Sequence, residues 1–165
     1  MRAGRADDLL SFVEDIGLFY ERTGLPRMAG RVIGWLLICE PPEQSMQQLG
    51  EAVGGSKGSM STMTRVLIQM GLIERARLPG SRRDQFRIRP GMWTESMRDQ
   101  LLAVHDVERL LQRGLTLVAD RPPASRERLE EARALYAWFG QELPKLLDRW
   151  EKTRPPPQRM ARSRG

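Results

Sequence analysis

The chain has 165 residues, which suits one compact domain or one domain with helical extensions. It carries 27 Lys+Arg against 21 Asp+Glu, and the excess is localised: residues 56–89 are net +6, residues 152–165 hold five basic and no acidic side chains, and residues 1–55 and 90–151 are net −3 and −2. One cysteine, Cys39, and one histidine exclude an intramolecular disulfide and a Cys/His metal site, while the longest apolar run, Trp35–Cys39, is too short to span a bilayer. The N-terminal MRAGRADD has no apolar leader core, so a cytoplasmic location and no membrane association are expected.

Asp7 or Asp8 is positioned to cap a helix in which Leu9, Phe12, Val13, Ile16, Phe19 and Tyr20 recur at helical spacing, with Gly24 and Pro26 stopping it. A second helix is predicted from Arg27, burying Ala29, Val32, Ile33, Leu36 and Leu37 and ending at Pro41-Pro42. Ser45 followed three residues later by Gln48 is a capping-box pattern that opens a third helix, with Leu49 and Val53 on its core side. Gly54-Gly55 make a turn, Ser56 caps the next helix, and Met60, Met63, Val66, Leu67 and Met70 form its apolar stripe. Gly71 sits at a helix C-cap. Leu72 to Arg77 and Gln85 to Arg89 then read as the two strands of a hairpin turned at Pro79-Gly80, and Pro90 closes the unit.

Two long helical segments follow, roughly Thr94–Ala119 and Ser125–Trp150. In the second, Leu129, Ala132, Tyr136, Phe139, Leu143, Leu146 and Trp150 step by alternating threes and fours, a heptad seam that points to helix pairing. Pro144 falls inside it and is expected to kink the helix, with Gly140 relieving the clash. The fold class is therefore mainly α with a small β-hairpin wing: a winged helix-turn-helix plus long dimerisation helices. The organisation read from the chain is a dimerisation helix over 1–24, a DNA-binding winged helix-turn-helix over 25–90, a helical dimerisation region over 91–152 and a disordered basic tail over 153–165.

Helix, Gly-rich turn, helix and arginine-tipped hairpin is the order of a module that reads duplex DNA. The localised charge agrees, because a focused basic patch attracts polyphosphate. Docking the apolar stripe leaves Lys57, Gly58, Ser59, Ser61, Thr62 and Arg65 outward. Small residues let the helix press into a major groove, hydroxyls reach phosphates or base edges, and Arg65 is long enough for a bidentate guanine contact. Ser56 and the helix N-terminus offer free N–H groups to a phosphate. On the hairpin, Arg77, Ser81, Arg82, Arg83 and Arg87 are the candidate contacts to the neighbouring minor groove or its backbone, with Asp84 orienting one of the tip arginines.

These residues resemble the GbsR branch of the MarR superfamily of bacterial transcriptional regulators. The likeness runs in detail from about Phe12 to Trp93, and its most specific pieces are GRxxGWLLICxPPEQS (Gly30–Ser45), SKGSMST (Ser56–Thr62) and LPGSRRDxFRI (Leu78–Ile88). The resemblance implies a homodimer with interlocked terminal helices that presents two winged helices to successive major grooves of a palindromic operator. It implies that Ser56, Lys57, Ser59, Ser61, Thr62 and Arg65 lie on the recognition helix and Arg82 and Arg83 on the wing. The tip GSRRD departs from the better-known wing sequence of the superfamily. Many members sense small aromatic, phenolic or quaternary-ammonium ligands, a property that does not transfer residue by residue.

Other readings compete. Trp35 and Trp93 are the candidates to line a small-molecule effector pocket, against core and interface packing as the preferred reading. Cys39 ends an apolar helix and reads as a buried, inert thiol. His105 reads as a packing residue, no catalytic constellation or cofactor motif is present, and an enzyme is not expected. The expected function is a dimeric, sequence-specific transcriptional regulator, more a repressor than an activator. The alternatives are a protein-interaction adaptor built on the winged helix and an architectural DNA binder driven by the basic tail.

Overall fold

The computed structural model of the protein describes residues 2–77 and 84–153. In chain order the elements are α1 (Arg2–Arg22), α2 (Arg27–Ile38), β1 (Gln44–Ser45), α3 (Met46–Val53), α4 (Lys57–Gln69), β2 (Ile73–Ala76), β3 (Gln85–Ile88), α5 (Met92–Leu117) and α6 (Pro123–Thr153). They divide into two compact units, Met1–Met92 and Trp93–Gly165.

In the first unit α1 starts at Arg2 rather than at Asp7 or Asp8. Ala3, Arg5 and Ala6 are good helix formers, so nothing halts the helix at the aspartates. It stops where expected, at Gly24 with φ of 91° and at Pro26, the N-cap of α2. The two helices pack by close backbone approach. A Cβ added to Gly30 would lie 2.9 Å from Gly17 Cα and 3.0 Å from Tyr20 Cβ, and one at Gly34 would lie 3.1 Å from Val13 Cα. Glu14 bridges the pair by binding both Arg27 and Arg31. Val13, Ala29, Val32 and Ile33 are fully buried there, whereas Leu37, expected inside, is 40% exposed. Leu36 takes the inward position, and the helical pitch turns its neighbour out.

The capping box forms as written: Ser45 Oγ accepts from the Gln48 N–H at 3.3 Å and the Gln48 side-chain Oε1 accepts from the Ser45 N–H at 2.8 Å. Gly54, with φ of 66°, ends α3, and Ser56 caps α4. At the end of α4 the Gly71 N–H reaches Ile68 O and the Leu72 N–H reaches Leu67 O, both at 2.9 Å, with Gly71 at φ of 68°. That is the Schellman arrangement, which only a left-handed residue after the helix permits.

Instead of a lone hairpin the sheet has three antiparallel strands in the order β1-β3-β2. Gln44 pairs with Phe86 and Ser45 with Gln85 on one side of β3, while Ile73 pairs with Ile88 and Ala76 with Gln85 on the other. Phe86 and Ile73 are each 1% exposed and close the core with Leu49, Val53, Met60 and Leu67. The apolar stripe of α4 holds at Met60 and Leu67, but Met70 is 55% exposed and Thr64 is buried in its place, its hydroxyl donating to Met60 O at 2.8 Å.

In the second unit α5 and α6 form an antiparallel hairpin. Gly114 faces the Leu129 side chain, Gly140 faces the His105 ring, and Arg98 pairs with Glu151 at 2.8 Å. α5 begins two residues before its expected start and ends at Leu117, short of Ala119, whereas α6 runs past both expected ends, and Pro123 begins it, where its missing N–H costs nothing. Gly140 is thus a site of close approach to His105, whose Nδ1 lies 3.2 Å from Leu101 O, and not only a neighbour of Pro144. No residue of α6 is buried, and Leu102, Leu110, Leu117, Leu135, Trp138 and Trp150 are more than half exposed.

Candidate nucleic-acid interface

The exposed side of α4 is built from the residues that the core does not need. Lys57, Gly58, Thr62 and Arg65 are exposed, and Ser59 and Ser61 are half-buried beside them. Ser56 Oγ accepts from the Ser59 N–H at 3.2 Å, so one of the helix's free donors is satisfied internally and the remaining first-turn donors face outward. The Thr62 hydroxyl donates to Gly58 O at 3.2 Å, which leaves its oxygen as an acceptor for an external donor. Among the described residues, beyond its own helix backbone and chain neighbours, the nearest atom to a Cβ placed on Gly58 is Ser56 Oγ at 4.0 Å. Gln69, exposed in the last turn, continues the 58-62-65 spacing along the same face and was missed by reading the N-terminal half of the helix alone.

The wing arginines have divergent fates. Arg77 is exposed immediately after β2. Ser81, Arg82 and Arg83, with the turn at Pro79-Gly80, lie outside the described residues, as does the basic tail beyond Thr153. Asp84 pairs with Arg75 at 3.7 Å, and the tip arginines it was expected to orient lie outside the described residues. Arg89 donates from Nε to Gly71 O at 2.7 Å and so supports the turn after α4. Arg87, a candidate DNA contact, has its guanidinium held by two acids: Nε donates to Glu74 Oε1 at 2.8 Å, and Nη1 reaches Glu43 Oε1 at 3.4 Å. The hydrogen bond to Glu74, reinforced by Glu43, holds the Arg87 pKa above its ordinary value.

The two tryptophans weighed as candidates for an effector pocket lie in different units. Trp35 packs against the first core, and its indole N–H donates to Gln44 Oε1 at 3.3 Å, while Gln44 Nε2 donates to Pro41 O at 2.7 Å. Its polar edge is thus satisfied inside the protein. Trp93 is 49% exposed. A groove of about 460 Å³ within the α5–α6 pair is lined by Met97, Leu101, Val104, Tyr136 and Leu143, and a recess of about 780 Å³ beside α3 and β3 is lined by Met46, Glu51, Lys57 and Asp84; neither tryptophan borders either. The Cys39 thiol faces Pro42 O at 3.9 Å, and burial foremost, with Glu40 and Glu43 adding, pushes its pKa up to about 11. A thiol so held is a poor nucleophile at neutral pH. Among the described residues no helix is long and apolar enough to cross a membrane, and no group of His, Cys, Asp and Glu is set to hold a metal ion.

The geometry agrees with what the chain is similar to. Residues 23–84 match the MarR family model, and residues 91–153 match the model for MmpR5-like MarR family transcriptional regulators. The chain is 38% identical over 149 residues to the HTH-type transcriptional regulator MmpR5 of Mycobacterium tuberculosis, an alignment covering 90% of each protein. It also matches a crystal structure described as that of a transcriptional regulator, with a TM-score of 0.69 and 39% identity over 88% of this chain and 99% of that one. Winged-helix architecture, an exposed α4 face rich in small and basic residues, and relatives along nearly the whole length lead to one conclusion: the chain belongs to the MarR family of DNA-binding transcriptional regulators.

Proposed function

We propose that the protein acts as a homodimeric repressor that places α4 of each copy in a major groove of a palindromic operator, with Arg77, Ser81, Arg82 and Arg83 reaching the adjoining minor groove or backbone. The observation that carries this is the α4 face itself: Lys57, Thr62 and Arg65 stand exposed around Gly58, which leaves room for a groove wall. Support for two copies comes from apolar surface uncovered in a single chain, on α1 at Leu10 and Phe19 and on α5 and α6 at Leu117 and Trp138. The Gly30–Ser45 and Ser56–Thr62 motifs favour the GbsR-like branch, a cytoplasmic location follows from the role, and a small-molecule effector would act by changing the spacing of the two α4 helices.

The test is binding of a duplex spanning the region upstream of the protein's own gene, titrated at several salt concentrations. A steep fall of affinity with salt is expected from phosphate contacts. Arg65→Ala is expected to cost on the order of 1–3 kcal/mol and to relax specificity at one base position. Unchanged affinity and specificity for Arg65→Ala would overturn the docking, and the absence of any salt-dependent DNA affinity would favour the adaptor reading.

A further inference from the structure

Arg87 belongs to a cluster that ties three separate segments together. Glu74 is its direct cross-strand partner on β2, and Glu43 comes from the loop between α2 and β1. The side chains are partly withdrawn from solvent, Glu43 most of all at 14% exposed. One guanidinium against two carboxylates leaves the cluster with a net charge of −1, so a DNA phosphate approaching Arg87 would be opposed by both acids. Planar, always charged and able to donate along several directions at once, arginine is the side chain that can hold two carboxylates in fixed positions, whereas lysine offers a point charge.

We propose that Arg87 is a positioning residue: clamped between Glu74 and Glu43, it fixes the base of the wing to the segment that leads into α3 and so sets where the wing meets DNA. Resting on the DNA-docking reading above, it removes one arginine from the contact set and gives Glu43 and Glu74 a role in recognition. Its signature is a sign that ordinary electrostatics does not give. Neutralising an acid near a DNA-binding surface normally tightens binding, because it removes repulsion from phosphate. If the clamp operates, Glu43→Gln and Glu74→Gln each weaken it.

The experiment uses the full chain and the upstream duplex, with binding measured across a salt series for the parent, Arg87→Gln, Arg87→Lys, Glu43→Gln and Glu74→Gln. A thermal melt of each variant establishes that it is folded. Weaker binding by roughly three- to thirtyfold is expected for all four, with the slope of log affinity against log salt unchanged. A phosphate contact by Arg87 would instead lower that slope by about 0.9 for each copy bound in the Gln variant, leave Arg87→Lys near the parent, and make the Glu→Gln variants bind more tightly. That pattern overturns the clamp. The charge-swapped pair Glu74→Arg with Arg87→Glu supplies the rescue, and failure to regain any affinity over Arg87→Glu alone also counts against it. A parent chain with no salt-dependent affinity refutes the DNA-docking reading itself, an outcome distinct from any result among the variants.

Discussion

Replacing Gly30 by alanine sets two effects of opposite sign against each other, and the packing of α1 on α2 decides which wins. In a helix interior the change should stabilise by about 1 kcal/mol, because glycine loses more backbone freedom on folding. At Gly30, however, the new methyl would lie 2.9 Å from Gly17 Cα, 3.0 Å from Tyr20 Cβ and 3.1 Å from Gly17 O. None of these is the movable end of a side chain. Relief requires α1 and α2 to part by roughly 0.5–1 Å, and a gap of that size forfeits a quarter to a half of the dispersion energy across it. The contacts at stake include Val13 and Ile33, both essentially unexposed. Overpacking of this kind costs about 1–3 kcal/mol, so after the helix gain the net expectation is a loss of up to about 2 kcal/mol. Gly58 provides the contrast, since among the described residues no tertiary neighbour comes closer than Ser56 Oγ at 4.0 Å, and Gly58→Ala should stabilise by up to about 0.5 kcal/mol. Urea denaturation of both variants at one fixed protein concentration, followed by helical circular dichroism, reads the two signs. A Gly30→Ala protein more stable than the parent refutes the close-approach argument.

Two further outcomes are expected. Because the Cys39 pKa rises from 9.0 to about 11 on folding, the folded state holds a proton that the unfolded state releases between those values. Stability should therefore fall as pH climbs from about 9 to about 11, with half-buried Tyr20, also raised, adding to the fall, and Cys39→Ser should make the fall shallower in denaturation measured against pH. Ser45→Ala removes the acceptor for the Gln48 N–H and should cost about 1 kcal/mol by the same denaturation assay, without changing the salt slope of DNA binding.

What the sequence made legible was local. The Ser45–Gln48 box, the turn at Gly54, the Ser56 cap and Gly71 each involve partners within a few residues, so their patterns can be read by spacing. The misses involve partners far apart in the chain. The strand β1 is two polar residues long and exists only because β3 lies beside it. The pairing of Arg87 was not legible because Glu43 is distant in sequence, and the packing role preferred for Trp35 had no nameable partner because Gln44 sits on that same unforeseen strand. On α4 the outward residues were identifiable from the apolar stripe, yet Thr64 and Met70 exchanged places: the Thr64 hydroxyl satisfies itself on the backbone and can be buried, and Met70 lies at the helix end beside the Gly71 turn.

The two-residue strand also bears on how the unit comes apart. Gln44 and Phe86 are about forty residues apart, so closing that pair carries a loop-closure cost that the nearby β2–β3 pairing does not. Ser45 is at once the partner of Gln85 and the cap of α3. Releasing β1 from β3 therefore unfastens the start of α3 in the same event, and the wing cannot open without loosening the helix that precedes α4. Sheet edge and the start of α3 are thus expected to open as one unit, and in a hydrogen-exchange measurement the amides of Ser45, Gln48 and Gln85 should exchange together.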